Sequence, residues 1–171
     1  MTKLVKPANK IVVLGEPLVE ELEIKTVATM YPGRLVERDT NDSSVKAGTA
    51  AGPVMGWLGY EQAHKNYRPA DKTTIYKVND EAPVLFGGHF VIIGSLQSGQ
   101  NVTKGAKLVA AAAGELLAAA AITIVASGAA HITDGQGVTG SYGVQGPVVA
   151  IARESVDASS SALPIMVESL I

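Results

Sequence analysis

The chain has 171 residues, 47% apolar and 18% charged, which is enough to bury the core of one domain and too apolar for a disordered chain. A formal net charge of −2 supplies no general field for nucleic acid or an anionic membrane, so direct contact with either is not expected. Cysteine is absent, which excludes disulfides, thiolate nucleophiles and cysteine-held metals.

Residues 1–26 read as an extended N-terminal arm, followed by a β-rich domain over 27–171. Lys10 to Leu14 is a short strand ended by Gly15-Glu16-Pro17, and Pro7 and Pro17 favour an extended path. Leu18 to Val27 matches neither the helical nor the strand period, leaving a helical turn or an extended edge. The run Ile11, Val12, Val13, Leu14 can add a strand to the sheet edge of a neighbouring subunit, or pair within its own barrel. Basic residues precede that run, but Glu16, Glu20, Glu21 and Glu23 follow it without a small-residue cleavage site, so no signal peptide is expected. Leu116 to Ala126 is too short to span a bilayer, and a soluble protein is expected.

Pro32-Gly33 predicts a type II turn that launches a strand over Arg34 to Glu37. Arg38 to Ser44 reads as a polar hairpin loop, and Val54 to Leu58 as a strand carrying the only tryptophan, Trp57, into the core. Gly59 to Thr74 has no period and is expected as an exposed loop. Ile75 to Val78 resumes alternation, Asn79-Asp80 turns, and Ala82 to Phe86 pairs back.

The run His89 to Leu96 is nearly continuous in apolar and branched residues, as a strand buried on both faces requires. After it, Gly99, Gly105 and Gly114 supply tight turns while Val102, Leu108 and Val109 point into a core. Lys107 to Ser127 is alanine-rich and suits a helix by propensity, yet Gly114 interrupts it and Ile122 to Val125 is β-branched, which favours two hairpin strands. Gly128 to Gly146 predicts a long glycine-rich turn, Pro147 to Ala152 a buried strand, and Glu154 to Ser161 a polar turn. Leu163 to Ile171 closes the fold with Ile165, Val167 and Ser169 on one face. Many short strands with frequent turns predict an all-β compact barrel or sandwich.

No reaction chemistry assembles from these residues. His64, His89 and His131 are far apart, with no metal-ligand spacing, and His89 is expected as a packed residue with one backbone hydrogen bond. No G-x-S-x-G elbow is present. Gly135 to Gly140 fits G-x-G-x-x-G, but it neither follows a strand–helix switch nor opens a helix. Glu61 and Asp71 share the polar loop, where their separation would decide any acid–base role. Tyr60, Tyr67 and Arg68 in the same loop are residue types that anchor protein contacts. The expectation is therefore a non-enzyme with no cofactor and no metal, a partner-binding set of Ile11, Val12, Val13, Leu14, Tyr60, Tyr67 and Arg68, and, as one reading of its function, a carbohydrate- or protein-binding β module.

Gly99 to Leu108 looks like the closing half of biotinyl and lipoyl carrier barrels, but Lys104 stands next to Gly105 with no methionine or acidic tip before it. A broader likeness rests on Tyr31-Pro-Gly-Arg-Leu-Val36, Gly99 to Val109, Gly114, Val149 to Asp157 and Pro164 to Glu168. Over roughly residues 30 to 171 these resemble the capsid decoration or cement proteins of tailed viruses. The resemblance implies a β-tulip-like module on the outer capsid surface of the virion, made in the host cytoplasm. It implies the major capsid protein and copies of itself, as a trimer, as partners.

Overall fold

The computed structural model describes residues 5–26, 28–50, 52–119 and 146–171. The fold is all-β: thirteen strands and one short 3-10 turn, Ala112–Gly114, among the described residues. Strands β1 (Val12–Leu14), β7 (Val91–Leu96), β9 (Lys107–Ala110), β10 (Leu116–Ala118), β11 (Val148–Ala152) and β13 (Leu163–Ser169) form a six-stranded sheet ordered β1-β7-β10-β9-β11-β13. β13 pairs again with β7, from Leu163 opposite Leu96 to Glu168 opposite Val91, so this sheet curls back on itself. Strands β2 (Leu18–Ile24), β3 (Leu35–Arg38), β4 (Ser44–Ala47), β5 (Val54–Leu58) and β6 (Glu81–Phe86) close into a small barrel ordered β2-β4-β3-β5-β6. β8 (Gln100–Val102) and β12 (Val156–Ala158) form a separate antiparallel pair.

The period-2 geometry of strands explains why so many of them read as continuous apolar runs. In β3, β5 and β6, Val36, Leu58 and Val84 point into the barrel interior with Leu22, Ile24, Met30 and Tyr76. Their neighbours Leu35, Trp57 and Leu85 point the other way, into a second core shared with Phe90, Ile92, Leu116, Ile165 and Val167 of the curled sheet. Along β3, β5 and β6 the barrel wall is thus buried on both faces, and its outward side shares a core with the curled sheet.

Several predicted elements stand where the sequence put them. The turn at Pro32-Gly33 precedes β3, with Gly33 at φ +82°. The polar loop joins β3 and β4 as an antiparallel hairpin. The central strand is β7, and β13 buries Ile165, Val167 and Ser169 together. In the alanine-rich stretch β9 and β10 pair antiparallel, Leu116 opposite Ala110, so strands win over helix through residue 118. Ile122 to Val125, residues 128–145 of the glycine-rich turn (Gly135 to Gly140 within it) and His131 lie outside the described residues.

Other expectations need correction. β1 pairs with β7, Val12 opposite Ile92, and β2 pairs with β6 from Leu18 to Glu23, so residues 12–24 are walls of the fold in this chain and not a projecting arm. β2 hid from a period search because it buries side chains only at its second half, Leu22 and Ile24. His89 does not sit on the central strand: it lies in the turn before β7 at φ +57° with its side chain exposed, because Gly87 and Gly88 also take positive φ there. Ile75 to Val78 is no strand; the Tyr76 N–H donates to the Met30 carbonyl at 3.0 Å, while Ile75 and Val78 face solvent. The polar stretch 154–161 contains β12, invisible as a strand because its partner β8 is equally short.

Candidate partner-binding surface

The N-terminal run is held by side chains from distant elements. The Glu61 carboxylate accepts the Ile11 N–H at 3.1 Å and the Val12 N–H at 2.8 Å, taking the place of a neighbouring strand on the outer edge of β1. Lys72 donates to the Pro7 carbonyl at 3.0 Å, and Lys6 pairs with Glu154 at 2.6 Å. Ile11 is buried in the shared core, Val12 and Val13 are half-buried, and Leu14 is exposed. Of the four residues expected to meet a neighbour, Ile11 is therefore a core residue and Leu14 alone is open to solvent. Replacing Glu61 with Gln removes one of the two acceptors. The expected result is a loss of about 2 kcal/mol in urea unfolding, in the range for a hydrogen bond to a charged group. Amide exchange should also quicken at Ile11 and Val12 but not in β13.

The loop 59–74 is irregular, as its sequence implies, but it is not wholly exposed. Tyr60 is only 3% exposed and belongs to the shared core, its hydroxyl 3.4 Å from the Ala70 carbonyl, which corrects the expectation of an exposed anchor. Arg68 lies over its ring at 5.4 Å from the centroid, a cation–π contact that holds the guanidinium at the surface. Tyr67 is half-buried beside His64, ring centroids 6.0 Å apart. Tyr76 closes the loop from beneath: its buried hydroxyl donates to the Gly59 carbonyl at 2.8 Å, and burial pushes the phenol well above its ordinary pKa. Asp71 accepts from the Thr73 and Thr74 hydroxyls, which lower its pKa. Its contribution to loop order is present above the unfolded carboxylate pKa and is lost as pH falls through the folded value.

A groove of about 290 Å³ opens where this loop meets the two lobes. Ile11, Tyr31, Ile93 and Leu163 give it apolar walls, and Arg34 and Lys72 are its cations. Arg34 is fixed from three sides: it pairs with Glu115 at 2.7 Å, donates to the Ala113 carbonyl at 3.3 Å and lies over the Tyr31 ring. In the sequence Tyr31 to Val36 reads as a turn and strand and as part of the decoration-protein resemblance, with no sign that Tyr31 and Arg34 line a groove. Nothing local in the sequence signals the groove, because it gathers residues from positions 11, 31–32, 34, 72–73, 93–95 and 162–164.

The carboxylates that sequence reading singled out are engaged in the fold, Glu61 by main-chain N–H groups and Asp71 by its own loop. Among the described residues no three His, Asp or Glu side chains gather as a metal site. Lys104 stays exposed, its N–H donating to the Ser155 hydroxyl at 3.0 Å, on a plain turn between β8 and β9. Two packed β lobes with a groove at their junction define a small β module whose distinctive features are surfaces. The chain belongs to the XM1 gp53 minor capsid protein family, which matches residues 8–153 and so takes in β1 through β11. No curated protein matches it. It is a structural component of a phage capsid, located in the virion.

Proposed function

We propose that this minor capsid protein is a decoration protein: it binds the outside of an icosahedral shell, contacts the major capsid protein, and stabilises the junctions between its subunits as a trimer of copies. The observation that carries the reading is the family match across both lobes, 8–153. The physical case is mass action. A ligand that binds only the assembled lattice stabilises that state, and many copies multiply the effect without any turnover. The groove and the 59–74 loop are the contact surface in this reading, since Lys72 and Thr73 of the loop form one wall of the groove. Tyr67 and Arg68 are its anchors.

Co-sedimentation with expanded capsids tests the proposal. The wild-type chain should saturate the particles, and Tyr67→Ala and Arg68→Ala should each weaken binding by about 2 kcal/mol, the scale of an interface hot spot, while circular dichroism stays unchanged. A map of the particle with density only inside the shell, or with isolated single copies, would overturn the placement or the trimer respectively.

A further inference from the structure

We propose that the outer edge of β2 is a docking site for an extended, lysine- or arginine-bearing segment of another protein, which adds to the barrel as an extra strand. β6 pairs with β2 from Leu18 to Glu23, but on the opposite edge β4 pairs only at Glu23 and Ile24. The direction of the free groups follows from the ladder. The Glu23 N–H donates to the Ser43 carbonyl at 2.9 Å, away from β6, and backbone direction repeats every second residue, so the N–H and C=O groups of Glu21 and Val19 point the same way. Pro83, opposite Glu21, agrees: its carbonyl accepts the Gly59 N–H at 2.7 Å on its far side. On the N-terminal side of Glu23, then, this edge meets no strand among the described residues.

Its side chains select the occupant. Leu18 is 62% and Val19 47% exposed, an apolar pair on an open edge. Glu16 and Glu21 are exposed and Glu20 half-exposed, and none of the three forms an ion pair among the described residues. Main-chain groups supply the affinity of an added strand and the flanking charge its sign, so an alternating apolar and basic segment fits. A second copy does not provide it from its described lysine-bearing strands. β4, with Lys46, is already paired to β2 and β3, and β9, with Lys107, to β10 and β11. The inference rests on the proposed function only for the source of the segment, a protein of the shell.

The edge can be tested without a particle. The full chain, labelled with nitrogen-15, is titrated with a short peptide of alternating lysine and valine, with its glutamate–valine counterpart, and with the lysine–valine peptide N-methylated at every residue, which blocks both of its edges. The expected result is amide shifts confined to Leu18–Leu22 and slowed exchange at Val19 and Glu21 with the unmodified lysine peptide alone. Glu21→Lys should weaken that binding about tenfold, the effect of replacing attraction by repulsion. Equal binding of the glutamate peptide, equal binding of the methylated one, or shifts elsewhere on the molecule would overturn the site. Wild-type particle occupancy for Glu21→Lys would overturn the shell as the source, whereas failure of the wild-type chain to bind particles would sink the decoration role and leave the peptide result standing.

Discussion

Trp57→Ala should cost about 4 kcal/mol of stability, the scale for deleting a large aromatic from a core. Its ring is fully buried between the lobes, against Gly94 and among Leu35, Leu85 and Leu116. The indole N–H donates to the Ser169 hydroxyl at 3.0 Å, so the same side chain fastens β5 of the barrel to β13 of the curled sheet. Trp57→Phe should cost only about 1–2 kcal/mol, because it refills most of the space and leaves Ser169 its contact to the Ile171 carbonyl at 2.8 Å. Urea unfolding followed by far-ultraviolet circular dichroism checks both, with no reliance on the lost tryptophan fluorescence. If the alanine variant instead unfolds in two steps, with the barrel surviving, the lobes are less dependent on their shared core than the burial implies.

The second large effect is expected at Gly114, where alanine should cost about 3 kcal/mol or more, the range of a strained backbone combined with overpacking. Gly114 has φ +69°, and a Cβ there would sit 2.3 Å from the Leu35 carbonyl oxygen, backbone that cannot swing aside. Its N–H also donates to the Gly48 carbonyl at 2.8 Å, so displacement would open the contact between the 112–114 turn and the barrel. Gly99 and Gly105 are the internal controls. Both have positive φ but nothing within 4 Å of the added carbon, so each alanine there should cost only about 1 kcal/mol, the left-handed backbone term. Thermal melts of the three variants separate the steric term from the conformational one; equal losses would mean that backbone conformation alone matters.

Sequence treats those three glycines alike, as turn residues, and that difference marks what can be read without coordinates. Pattern and composition determined the all-β class, the β3–β4 hairpin, the central strand β7 and the inward face of β13. These follow from local rules, in which turn chemistry sets the breaks and two-residue alternation sets the faces. They also excluded cysteine chemistry outright, and the resemblance to tailed-virus decoration proteins pointed to the same broad class, a phage capsid protein, as the family match. Tertiary structure alone decided where Ile11, Tyr60 and His89 go. Ile11 and Tyr60 have residue types that suit either a core or an interface, and the choice between them depends on what packs above, Phe90 and the curled sheet in one case and Arg68 in the other. For residues 12–24 the sequence left open whether the strand at Lys10 to Leu14 pairs within its own fold, and β2 had no readable period for a related reason: it is a strand by virtue of six ladder partners in β6, while its own side chains bury only at Leu22 and Ile24. The groove at Arg34 and Lys72 and the open edge at Val19 and Glu21 belong wholly to this second category, because each depends on which strands stand beside one another, a property that no stretch of sequence carries by itself.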